Sequence, residues 1–83
     1  MSNRADMVRD LGAFIAEKIL KQPGRSVHPE EPLISSGLID SFSLVDLALE
    51  IERVYGVVVD DTELNADTFD SLLALAELIE SRL

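Results

Sequence analysis

The sequence predicts a small all-α bundle, with three principal helices, one short helix, and a long irregular connection between the first two principal helices. Three observations lead there. Apolar residues recur at helical spacing in three windows, 3–21, 41–55 and 71–82. All three prolines and three of the four glycines fall between those windows. Val57-Val58-Val59 is the only strand-like run, and it has no partner run with which to pair. With 83 residues, 47% of them hydrophobic, the chain makes one domain, 1–83, whose core is just large enough to fold alone.

The first helix spans 3–21, with an apolar stripe of Met7, Val8, Leu11, Phe14, Ile15 and Ile19. Ser2 or Asn3 caps its start, Lys18 and Lys21 suit its C-terminal end, and Gln22-Pro23-Gly24 stops it. Residues 22–39 follow neither helical nor strand periodicity. A loop of that length is unusual inside a compact domain and is often functional. Leu33, Ile34, Leu38 and Ile39 are expected to pin it to the core.

The second helix spans 41–55, with Asp40 as N-cap and Gly56 as the residue that ends it. Val57–Val59 reads as an extended, buried linker, and Asp60-Asp61-Thr62-Glu63 as a solvated turn leading into the short helix at 65–69. The last helix spans 71–82. Asp70 is its expected cap, Ser71 its first-turn residue, and Leu72, Leu75, Ala76, Leu78, Ile79 and Leu83 its apolar face.

Composition removes several function classes. The chain has no cysteine, so it has neither a disulfide framework nor a thiolate metal site, and a single histidine, His28, does not make a zinc site. The Asp60–Glu63 run lacks the glycine and alternating ligands of a calcium loop. No apolar stretch approaches the ~20 residues that span a bilayer. The charged start MSNRADMVRD has no apolar core of a secretory signal, so the cytoplasm is the expected location. Ser41, His28 and Asp40 could be grouped as a triad, but Asp40 adjoins Ser41 and has a capping role, and so small a domain leaves little room for a pocket. The chain is therefore not expected to be an enzyme.

The formal charge of −9 lies wholly in the second half. Residues 1–39 hold five acids and five bases, whereas residues 40–83 hold eleven acids against Arg53 and Arg82. Such a surface repels nucleic-acid phosphates and anionic lipid and attracts basic protein patches.

Two Asp-Ser pairs precede helices, Asp40-Ser41 and Asp70-Ser71. Ser71 is accounted for as part of a helix start. Ser41 follows the long Gly- and Pro-containing loop, which presents it at one end of the bundle, and a helix N-terminus favours an attached phosphate. Ser35, Ser36 and Ser43 have no comparable placement. The second helix also carries two apolar sides. Leu44, Leu47, Ala48, Ile51, Val54 and Tyr55 share one broad side, assigned to the core. Phe42, Val45 and Leu49 share another, flanked by Ser41 and Glu52 on one edge and by Asp46 and Arg53 on the other, as expected of a docking face.

Gly37-Leu38-Ile39-Asp40-Ser41-Phe42 resembles the phosphopantetheine attachment site of acyl carrier proteins, whose core is Asp-Ser-Leu or a close variant. The resemblance covers essentially the whole chain. It includes the helix–long loop–helix order, Tyr55-Gly56 at the end of the acidic second helix, Val59-Asp60-Asp61, and Phe69-Asp70-Ser71-Leu72 at the start of the last helix. It implies an acyl-carrier-like bundle in which Ser41 carries 4′-phosphopantetheine, transferred from coenzyme A by a phosphopantetheinyl transferase. Asp40 would assist recognition by that transferase and magnesium coordination in the complex. An acyl or aminoacyl group would be held as a thioester, loaded by an activating ligase and passed to an acyltransferase or synthase by a monomeric carrier. Fatty acid, polyketide and aminoacyl pathways all use such carriers. Ser43, where housekeeping fatty-acid carriers usually have an acid, and Arg53, in a normally acidic stretch, depart from the generic pattern; Phe42 in place of Leu is a mild change. The Gly-Leu-Ile-Asp-Ser form resembles free-standing aminoacyl and D-alanyl carriers. The alternative from another class is an acidic adaptor of the same fold that is never pantetheinylated.

Overall fold

A computed structural model describes residues 3–83. Helix α1 (Arg4–Phe14) runs directly into a π-helical segment (Ile15–Ile19). Helix α2 spans Ser41–Tyr55, a 3₁₀ turn spans Asp61–Glu63, and helix α3 spans Leu72–Glu80. Among the described residues there is no strand.

Asn3 caps α1, its side chain accepting from the Asp6 N–H at 2.8 Å; the alternative cap, Ser2, lies outside the described residues. The first helix was expected to stay α-helical to residue 21. Its last turn is instead wider, with the Leu20 N–H donating to the Ile15 carbonyl at 2.8 Å. Lys21 has already left the helix with φ 58°. The inward-facing residues fall in pairs four apart, Met7/Val8, Leu11/Gly12 and Ile15/Ala16, all buried, then the half-buried Ile19/Leu20. In an α-helix each four-residue step rotates the stripe by about 40°, so three steps would carry Ile19/Leu20 well off the core. A turn with more residues in it rotates the stripe back.

The Arg4 guanidinium meets Glu80 at 2.7 Å, joining the start of α1 to the end of α3, so the two helices pack antiparallel. Between them and α2 lies the core: Met7, Leu11 and Ile15 from the first helix, Leu44, Leu47 and Ile51 from α2, and Leu72, Leu75 and Ile79 from α3. The connections complete it with Leu33, Ile39, Val57, Val59 and Phe69. Leu33 and Ile39 are buried and Ile34 and Leu38 half-buried, so the four expected anchors of the long loop all pack inward.

Five expectations need correction. Val58 points outward between the buried Val57 and Val59, since an extended backbone alternates its side chains. The short helix is at Asp61–Glu63 rather than 65–69, because Asp60 and Glu63 form a reciprocal capping box and Arg82 pairs with Glu63. Residues 65–69 form a turn closed by Asn65, whose side chain accepts from the Thr68 N–H at 3.0 Å. Val54 is half-exposed, lying at the far edge of the α2 core stripe, and Leu83 is exposed because α3 ends at Glu80. Ser71, not Asp70, caps α3, accepting from the Ala74 N–H at 3.1 Å.

Candidate functional site at the start of helix α2

The chain reaches α2 through a turn that closes on itself. The Ile39 N–H donates to the Leu33 carbonyl and the Gly37 N–H to the Ile34 carbonyl, both at 3.0 Å. Gly37 takes φ 78°, a conformation a side chain disfavours. The Ser36 hydroxyl donates to the Pro32 carbonyl at 2.6 Å. The burial of Ile39 then sets the direction in which the next two residues leave the core.

Asp40 is extended (φ −85°, ψ 174°) and its carboxylate accepts from the Ser43 N–H at 2.7 Å, which makes it the N-cap of α2. That backbone N–H holds the Asp40 carboxyl below the usual carboxylate range. Ser41 is the first helical residue and is exposed. Among the described residues its hydroxyl is tied to no other group, whereas the Ser35 hydroxyl donates to Asp70, the Ser36 hydroxyl to Pro32 and the Ser71 hydroxyl oxygen caps α3. His28 is not brought into a triad: its Nδ1 accepts from the Glu30 N–H, and Asp40 is occupied by Ser43.

The side of α2 next to Ser41 is apolar and uncovered. Phe42 is 85% exposed, Val45 45% and Leu49 61%, while Leu44, Leu47 and Ile51 on the opposite side are buried. Asp46 and Glu52 are exposed beside this cluster. Arg53 does not present a bare cation. Its guanidinium takes both oxygens of Glu50, at 3.1 and 2.8 Å, so the one base of α2 is neutralised within the helix. The residue pattern had not pointed to the first helix here. Phe14, Lys18 and Ile19 form the opposite wall of a shallow groove of about 330 Å³ that contains Leu49 and Asp46, and thereby extend the apolar cluster past α2. A larger open groove, about 900 Å³, lies between α1 and residues 25–30 and is lined by no residue of α2.

An exposed serine hydroxyl at the open end of a helix suits a phosphodiester. The first-turn N–H groups and the helix dipole favour its negative charge, and Ser41 is exposed. Residues 13–79 match the family model described as "Phosphopantetheine attachment site".

The chain belongs to that family.

The carrier is similar over its whole length to the aminoacyl carrier protein 2 of Bradyrhizobium diazoefficiens, at 29% identity over 85 residues, covering 94% of that protein. It is also similar to the D-alanyl carrier protein of Bacillus pumilus, at 38% identity over 50 residues, 60% of this chain and 64% of that protein. The carrier role, the phosphopantetheine cofactor and the absence of catalysis by the chain itself follow from the family. No helix among the described residues is long and apolar enough to cross a membrane.

Proposed function

We propose that Ser41 is the residue that carries 4′-phosphopantetheine and that this single-domain, monomeric protein delivers an aminoacyl group in the cytoplasm. The observation that carries the assignment is the contrast between the two Asp-Ser pairs: Ser41 is exposed with its hydroxyl uncommitted, while the Ser71 oxygen is used in capping α3. The aminoacyl cargo is favoured by the kind of carrier the chain resembles and by Ser43 and Arg53, the departures from the fatty-acid pattern.

When bound, the group supplies a terminal thiol that holds the cargo as a thioester. The chain's own residues do the presenting. Asp40 fixes the first turn of α2 and keeps a negative charge beside Ser41. Phe42, Val45 and Leu49 supply an apolar docking face, with Asp46 and Glu52 as its charged rim, for the transferase, an aminoacyl-activating ligase and the downstream acyltransferase or synthase. Docking through that face would bring the cargo to whichever enzyme has bound at a high effective concentration.

Intact-mass measurement after incubation with a broad-specificity transferase and coenzyme A tests the assignment. One phosphopantetheine should add to the wild type and to Ser71→Ala, and none to Ser41→Ala. Addition to Ser41→Ala would place the attachment elsewhere, and no addition to the wild type would make the protein an unmodified adaptor.

A further inference from the structure

We propose that Asp70, 29 residues beyond Ser41 and in another part of the fold, is a positioning residue for the modification of Ser41. The inference rests on the assignment of Ser41 made above. Asp70 does not cap the helix it precedes. Its carboxylate instead accepts from the Ile34 N–H at 2.7 Å, from the Ser35 N–H at 2.9 Å and from the Ser35 hydroxyl. Its own carbonyl accepts from the Leu33 N–H at 2.8 Å. Four hydrogen bonds from three consecutive loop residues therefore converge on one side chain and its peptide, forming a clasp.

The clasp is mechanically continuous with Ser41. Leu33 and Ile34, which it holds, are the residues whose carbonyls close the turn onto Ile39 and Gly37. Ile39 is followed by the capping residue Asp40, and Asp40 by Ser41. Moving residues 33–35 must either drag Ile39 out of the core or break the turn. Loss of the clasp should therefore open the loop locally, on its own, without global unfolding. A serine whose supporting loop opens spends less time in the geometry that the transferase requires, and rates fall steeply with such misplacement. The docking face on α2 is not part of the clasp, so binding of the carrier should be affected far less than the rate of transfer.

The experiment uses the apo protein, a broad-specificity transferase and coenzyme A, and reads kcat and the KM for the carrier separately. Amide hydrogen exchange at Ile34 and Ser35 is followed in the same proteins. Asp70→Ala should lower kcat by about tenfold or more with little change in KM, and should speed exchange at both amides. Asp70→Asn keeps an oxygen for the two amides and an amino group for the Ser35 hydroxyl, and should restore most of the rate. Ser71→Ala, which removes the α3 cap but no hydrogen bond to residues 33–35, should lower the melting temperature and leave kcat and both exchange rates alone. Wild-type kcat in a folded Asp70→Ala protein, or an equal loss in Ser71→Ala, overturns the proposal. If Asp70→Ala does not fold, Ser35→Ala removes a single bond of the clasp and must still show a smaller loss of kcat in the same direction; an unchanged rate there overturns it equally. Ser41→Ala is run alongside. Modification of that variant would sink the assignment of Ser41, while the exchange data would continue to report on the clasp.

Discussion

Asp40-Ser41 and Asp70-Ser71 are the same dipeptide at the start of two helices, and their members exchange roles. At α2 the aspartate caps and the serine is the first helical residue, exposed. At α3 the serine caps and the aspartate reaches across to the loop that leads to α2. The following residues diverge as well, Phe42 being 85% exposed and Leu72 1%. A shift of one position in where the helix begins decides whether the hydroxyl is consumed in capping or left exposed. It also places the next side chain outside or inside. Sequence identity of a short motif is therefore a weaker guide to chemistry than the register of the motif against its helix.

The comparison breaks most visibly at the residue after each serine. Leu72→Asp should bury a charge at a cost of several kcal/mol, comparable with the total stability of about 5–15 kcal/mol for such domains, and leave the protein unfolded by circular dichroism. Leu47→Asp, on the buried side of α2, should do the same. Phe42→Asp, Val45→Asp and Leu49→Asp should melt near the wild-type temperature yet slow transfer of phosphopantetheine. Unfolding of that second set would return those residues to the core.

A smaller effect separates the serines themselves. Ser71→Ala deletes a helix cap and should cost about 1 kcal/mol, or about 4–8 °C in melting temperature for a domain of this size. Ser41→Ala removes a hydroxyl that holds nothing among the described residues and should stay within about 0.5 kcal/mol of wild type. Equal melting temperatures for the two variants would contradict the exchange of roles.

The smallest effect is the response to acid. The Ser43 N–H lowers the Asp40 carboxyl, the Ser35 hydroxyl and the loop amides lower that of Asp70, and Arg82 lowers Glu63 from 4.5 to about 2. A carboxyl lowered in the folded state takes up its proton more readily when unfolded, so its contribution is complete above the ordinary carboxylate range and drains away as pH falls towards the folded value. The melting temperature should therefore drop as pH falls through and below about 4. Asp70→Asn and Glu63→Gln should each make that drop shallower. An unchanged slope in both would assign the acid sensitivity to other groups.

Much of this was legible in the residues. The spacing of Leu44, Leu47 and Ile51 against Phe42, Val45 and Leu49 separated the two sides of α2, and the structure buries the first set and exposes the second. Gly56 ends α2 as expected, with φ 70°. The anchors Leu33 and Ile39 were legible because large aliphatic residues in a polar loop have few other places to go. The π turn leaves only one trace in the sequence, the four-residue spacing of Met7/Val8, Leu11/Gly12 and Ile15/Ala16. The position of the 3₁₀ turn is not legible in the residues, because Asp60 and Glu63 have the composition of a solvated turn, whereas each bonds the other's backbone and Glu63 meets Arg82 from beyond α3.

By itself, the sequence determined where the three principal helices lie, which side of each is apolar, and that a serine would stand beside a cap at the start of α2. Those properties follow from the spacing of side chains along one stretch of backbone. It pointed to Asp70 as the cap of α3, and the structure uses Ser71 instead, because aspartate and serine serve almost equally well as N-caps. Only the tertiary structure settled that choice. It brings residues 33–35 against Asp70, and three donors from the loop outweigh the single α3 N–H that Ser71 can satisfy just as well.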